Sequence, residues 1–140
     1  MVRRPGGDRR CGDQLSDTCR PRWYRERDRI AHWIDEHCWS EEKGAYLLCP
    51  GSDRLDAAIT LAVRFRCDAR ARLERTFDVI NRELGSGPFH YRYSGVEQEE
   101  GCFLACSFWM VEARALLGQK DRARADLRQL IDALDCGPSI

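Results

Sequence analysis

The stretch EQEEGCFLACSFWMVEARALL, residues 97–117, decides how this chain is built. After Gly101 the run FLACSFWMVEARALL carries three clearly polar side chains, Ser107, Glu112 and Arg114. A helix formed from it is therefore apolar around most of its circumference and needs other elements to enclose it. It is too short and too interrupted to span a bilayer, which takes about 20 mostly apolar residues. The acidic EQEE before it would lie at the positive end of the helix dipole, where a carboxylate gains roughly 0.3–1 kcal/mol.

On the C-terminal side, Gly118 stops this helix, and residues 121–134 form an amphipathic one through Leu127, Leu130, Ile131 and Leu134. On the N-terminal side, FHYRY (89–93) alternates as a short strand after the breakers Gly85, Gly87 and Pro88. Residues 69–84 precede it as an outer amphipathic helix, with Leu73, Phe77, Ile80 and Leu84 on one stripe and Asp68 as cap. LDAAITLAVRF (55–65) is a second, largely buried helix, capped by Ser52 or Asp53. WSEEKGAYLLC (39–49) turns at Glu42, Lys43 and Gly44 between short extended pieces, and Ser40-Glu41-Glu42 opens that solvent-facing turn. Residues 21–38 are a first helix, with Pro21 at its start and Tyr24, Ile30, Trp33, Ile34 and His37 at mostly helical spacing. Residues 1–20, rich in Arg, Asp, Gly and Pro without periodicity, are expected to be a disordered or unrelated lead, leaving 21–136 as the folded domain.

An amphipathic helix, a short extended turn and an apolar helix thus occur twice, at a period of roughly 45 residues, within the range of repeat architectures. The expected fold is all-α: a partial α/α toroid of about five helices with short β-turn insertions, in which each hairpin buries its face against its neighbours.

Lysine plus arginine and aspartate plus glutamate both number 23, so no global positive field favours nucleic acid or an anionic membrane. The basic first residues are not followed by a signal-peptide apolar core, and a cytoplasmic protein is expected. The eight cysteines then read as free thiols. Cys102 and Cys106 would share a helix face, but no CxxC or HxxxH pair supplies further ligands, so they read as small core residues; no metal or other cofactor is expected. His32, His37 and His90 are assigned packing or surface roles.

GSDRLDAA (51–58) and RELGSGPFHYRYSGVEQEEGCFLACSFWMVEARALLGQKDRARA (82–125) resemble the catalytic domain of glycoside hydrolase family 15, the glucoamylase-type and trehalase-like enzymes, and the resemblance extends over about residues 22–134. It implies an (α/α)6 toroid with its active site in the funnel of the inner helices. It also implies inverting hydrolysis of an α-glucoside or trehalose by two carboxyl groups about 6.5–9.5 Å apart. The family's general acid lies in a Trp-Glu loop before the part matching Trp23, and its base in a Ser-Glu-Glu loop after the part matching 121–134. On this resemblance the chain is an inner section of such an enzyme, toward the C-terminal part of the catalytic domain, and holds no catalytic residue. Ser40-Glu41-Glu42 does not stand for the base loop, because it lies in the first repeat.

What the resemblance leaves is part of a sugar site, in Arg92, Tyr93 and Glu100. A guanidinium presents several fixed donors to hydroxyls, and tyrosine a ring and a hydroxyl. Each residue has a structural alternative: an ion pair of Arg92 with Glu97 or Glu99, a packed ring for Tyr93, a helix cap for Glu100. The competing function is a non-catalytic helical-repeat module binding a sugar or protein partner. In either case an incomplete ring leaves an apolar face uncovered, through which the chain could self-associate.

Overall fold

The computed structural model describes residues 20–65, 69–96 and 100–135. Among them the chain is mostly helical, with four α-helices, one 3₁₀ helix and two small hairpins. The order is α1 (Arg20–His37), β1 (Trp39–Ser40), β2 (Ala45–Tyr46), the 3₁₀ helix (Ala57–Phe65), α2 (Arg70–Glu83), β3 (Gly85–Ser86), β4 (Phe89–His90), α3 (Leu104–Leu116) and α4 (Lys120–Asp135). Of the expected lead over 1–20, residues 1–19 lie outside the described residues and Arg20 begins α1; the expected cap Asp68 also lies outside them.

The internal repeat is visible in the backbone. The residue just after the first helix of each copy, Cys38 after α1 and Leu84 after α2, is buried. Each donates its N–H back into its helix, to Ile34 and Ile80. Each carbonyl then accepts from the returning limb of the following hairpin, from Leu47 N–H in the first copy and Tyr91 N–H in the second, both at 2.8 Å. The hairpins are antiparallel, with Trp39 opposite Tyr46 and Gly85 opposite His90. Gly44 closes the first with a φ of 67°, a backbone angle that glycine adopts without strain.

Gly85 holds the α2–β3 junction tight for another reason. A Cβ there would stand 2.2 Å from the carbonyl oxygen of Asn81. Gly85→Ala is expected to cost about 1–3 kcal/mol in urea denaturation, the usual range for a forced backbone shift in a packed region. The same change at Gly87, where an added Cβ meets nothing within 4 Å but φ is 61°, should cost only its backbone strain.

The core lies between α2, α3 and the 3₁₀ helix and includes Leu55, Leu73, Phe77, Ile80, Leu84, Cys106 and Met110. α3 packs against α4 and the 3₁₀ helix, and α2 against β2. α1 is held chiefly at Asp35, whose carboxylate accepts from the Tyr46 hydroxyl and pairs with Arg72 at 3.3 Å. Arg72 in turn lies over the Trp39 ring at 4.7 Å.

Several expectations are corrected. The 55–65 segment is helical only from Ala57 and is a 3₁₀ helix. Ile59, Thr60 and Val63 in that run are β-branched and disfavour the α-form. The Thr60 hydroxyl donates to the Ala57 carbonyl, three residues back, which suits the tighter turn. Its cap is neither Ser52 nor Asp53 but Asp56, whose carboxylate accepts the Ala58 N–H at 2.8 Å; Ser52 bonds Arg54 N–H within the extended approach.

The α3 run is not enclosed. Leu104, Phe108 and Leu116, with Phe103 before them, are exposed, because α4 and the 3₁₀ helix cover only the opposite face among the described residues. α3 starts at Leu104 with Phe103 at the cap position and no acidic residue in its first turn, so Glu100 does not cap it. Cys102 accordingly lies before the helix, exposed, and shares no helix face with the buried Cys106. Tyr24, Ile30 and Trp33 of α1 and Ile131 and Leu134 of α4 are exposed rather than packed.

A candidate sugar-binding corner

The limbs that follow the two hairpins meet. Asp56 and Tyr93 form an antiparallel bridge. On either side of it Ala57 N–H donates to the Arg92 carbonyl at 2.8 Å, and Ser94 N–H to the Leu55 carbonyl at 3.0 Å. The Ser94 hydroxyl accepts from Leu55 N–H. Two chemistry-bearing segments, GSDRLDAA and HYRYS, are thereby stitched together ahead of the 3₁₀ helix and α3.

Arg54 is tied into this seam. Its Nε and Nη2 both donate to the Ser94 carbonyl, at 3.0 and 2.7 Å, and its guanidinium lies 5.3 Å from the Tyr93 ring centre. Arg92 differs. Its guanidinium lies 5.7 Å from the same ring, the side chain is exposed, and it makes no ion pair with a described residue. The two acidic partners considered for it, Glu97 and Glu99, lie outside the described residues. Arg92 thus offers donors and Tyr93 a half-buried ring at one corner. Such a pair can hold a polyhydroxylated ligand, the guanidinium bonding hydroxyls and the ring facing the C–H surface.

Glu100 makes none of these contacts. It is exposed, its N–H donates to the Val96 carbonyl at 3.0 Å, and its carboxylate makes no hydrogen bond or ion pair with a described residue. Cys106 lies beneath the corner. Burial pushes its thiol up to about 11, with Asp56 adding to the rise and Arg92 opposing it. A thiol so placed is structural rather than nucleophilic. No cluster of three or more His, Cys, Asp or Glu residues able to hold a metal occurs among the described residues. Nor is any described helix long and apolar enough to cross a membrane. The sequence of GSDRLDAA carries part of the family resemblance but gives neither Arg54 nor Asp56 a place in the site. The spacing of Asp56 and Ala58 as an acidic cap was the available signal for one of them.

His90 anchors the strand that leads to Arg92. Its N–H donates to the Ser107 hydroxyl at 3.0 Å, and its carbonyl accepts from Phe103 N–H at 2.8 Å. Of the other histidines, His37 stacks on Trp33 and His32 pairs with Glu36 on the exposed face of α1. Burial lowers the pKa of His90 below 6.5, against the pull of Asp126. The unfolded chain then takes up a proton near pH 6.5 that the folded chain refuses, so stability is expected to fall as pH drops below 6.5. Asp126, raised from 3.8 by burial, acts in the opposite sense and at more acid pH, because the folded form holds that proton longer. Melting temperatures at pH 7.5 and 5.5 should differ in the native chain and differ less in His90→Gln.

The features so far define a mostly α-helical chain of repeated helix–hairpin–helix units with an arginine–tyrosine corner ahead of the 3₁₀ helix and α3. Over 117 residues it is 32% identical to the trehalase of Mycobacterium tuberculosis, a match covering 78% of this chain and 17% of that relative. It is 35% identical over 92 residues to the trehalase of Mycolicibacterium smegmatis, covering 60% of this chain and 14% of the relative. The chain therefore spans less than a fifth of the length of the curated relatives it matches. No family model matches the chain. No solved structure matches it significantly.

Proposed function

We propose that residues 21–136 are a section of a trehalase-like glycoside hydrolase of family 15, from the C-terminal part of its catalytic domain, and form an incomplete arc of its (α/α)6 toroid. The observation that carries this is the 32% identity to a trehalase along most of the chain. It is supported by the duplicated helix–hairpin–helix unit, whose 3₁₀ helix and α3 would be inner helices and whose α1, α2 and α4 would be outer ones. Arg92 and Tyr93 contribute to the wall that holds an α-glucoside or trehalose, and Glu100 belongs to the same end. Neither catalytic carboxylate lies within residues 1–140, so inverting hydrolysis belongs to a longer, cytoplasmic polypeptide and these residues alone are inactive. The exposed stripe of Phe103, Leu104, Phe108 and Leu116 favours a second reading beside it. There the chain is a non-catalytic module that meets a sugar, a protein or another copy of itself through that face.

The test is glucose release from trehalose by two proteins: the chain alone, and a chimera in which residues 21–136 replace the matching segment of the M. tuberculosis trehalase. The chimera should hydrolyse trehalose and the chain alone should not. Arg92→Ala in the chimera should lower kcat/KM by about 10- to 100-fold, the loss of one charged hydrogen-bonding group to substrate. Hydrolysis by the chain alone would refute the assignment of the carboxylates elsewhere. A folded chimera indifferent to Arg92→Ala would refute the sugar corner.

A further inference from the structure

A cavity of about 100 Å3 lies between the second hairpin and α4, on the side of α3 facing that helix. Its polar wall comes from four elements: Asn81 of α2, His90 of β4, Ser107 of α3, and Asp126 and Gln129 of α4. Behind Asp126 sits Arg114, whose side chain is 1% exposed. The Asp126 Oδ2 and Arg114 Nε atoms are 3.3 Å apart, within ion-pair range but not aligned for a hydrogen bond. Five buried atoms here have no hydrogen-bond partner among the described residues: Asp126 Oδ2, the three Arg114 nitrogens and His90 Nδ1. His90 Nε2 lies 3.3 Å from Asn81 Oδ1, an acceptor; with Nε2 donating to it, Nδ1 is left as an acceptor.

Orphan groups of this kind cost about 1–3 kcal/mol each, and charged ones more, so together they would rival the entire stability of a domain. Something must satisfy them. We infer that the cavity is a built hydration site, a cluster of ordered waters held by Asp126 and His90 Nδ1, both of which line it, that joins α4 to the strand leading to Arg92. Water fits where an ion does not. Arg114 and Asp126 already neutralise one another, so an added cation or anion would be buried without compensation. The wall offers donors and acceptors together, the condition under which a cavity is wet rather than empty, and its volume admits several waters at roughly 30 Å3 each. The site is separate from the proposed sugar corner and stands whether or not that corner binds a sugar. Its role for Arg92 is positioning, because His90 is clamped on both sides, by Ser107 and Phe103 through its backbone and by the waters through its ring.

The experiment is a high-resolution crystal structure of the full chain, joined to NMR of the same protein in solution. At least two ordered waters should bridge His90 Nδ1 and Asp126. Val111 and Met110 methyls, which also line the cavity, should show cross-peaks at the water frequency, and the His90 imidazole nitrogens should report the Nε2–H tautomer with a hydrogen-bonded Nδ1. The inference is overturned if the cavity is collapsed, with the five atoms bonded directly to protein. It is equally overturned if the density belongs to a molecule larger than water, or if the methyls show no contact with water. Arg114→Met/Asp126→Leu should abolish the cross-peaks; their persistence would also count against it.

Discussion

Asp126→Ala is expected to lower the unfolding free energy by about 2–3 kcal/mol. The reason lies with its partner. Arg114 is among the most deeply buried large side chains of the described residues and sits in the last turn of α3. Removing one member of a buried pair commonly costs 3–5 kcal/mol, because the charge left behind has lost both water and its counter-ion. Asp126 keeps 33% of its side-chain surface exposed, and this screening brings the figure to the lower value. The double replacement Arg114→Met/Asp126→Leu should recover most of the loss, since apolar substitution of a whole buried pair is often neutral. Urea midpoints of the two single variants and the double variant check this. An Asp126→Ala chain as stable as the native one would mean that Arg114 is neutralised by another group.

Ile80→Ala should cost about 3–4 kcal/mol, and Ile80→Val about 1 kcal/mol, the usual penalties for a transfer loss plus an unfilled cavity. Ile80 has no solvent exposure and belongs to the cluster that joins α2 to α3 and the first hairpin. The control is Ile131→Ala in α4. That side chain is 44% exposed, and its truncation should change stability by less than about 1 kcal/mol. Both isoleucines occupy the apolar stripe of an amphipathic helix. Only the three-dimensional packing separates them.

The helices and hairpins were legible because each rests on local chemistry. α2 was expected over 69–84 and runs Arg70–Glu83, and α4 was expected over 121–134 and runs Lys120–Asp135. Both carry heptad-like apolar spacing closed by breakers. The first hairpin was visible in Lys43-Gly44, where the chain must take a positive φ. Its second copy was half visible: FHYRY suggested β4, but β3 is Gly85–Ser86, a pair with no strand propensity that is paired only because α2 delivers it beside Phe89. The 3₁₀ form of Ala57–Phe65 was not legible, since apolar runs of that length look alike in either helix and the choice falls to Thr60 and the β-branched residues around it. In the candidate site, Arg92 and Tyr93 were found from a resemblance. Glu100 joins them only through its place before α3, and its side chain is exposed to solvent.

By itself, then, the sequence determined the order of elements, the duplication and the acceptance of a mostly helical fold, all of which follow from periodicity and turn residues within short windows. The tertiary structure alone decided three matters. It pairs Asp56 with Tyr93, placing Arg54 and Arg92 about one ring. It turns Arg114, read from sequence as a polar interruption of an apolar helix, into a buried partner of Asp126. It also leaves Phe108 and Leu116 exposed while burying Ser107. The physical reason is common to all three. Periodicity tells which residues share a face, but burial depends on which other element meets that face, and that is fixed by contacts between residues distant in the chain.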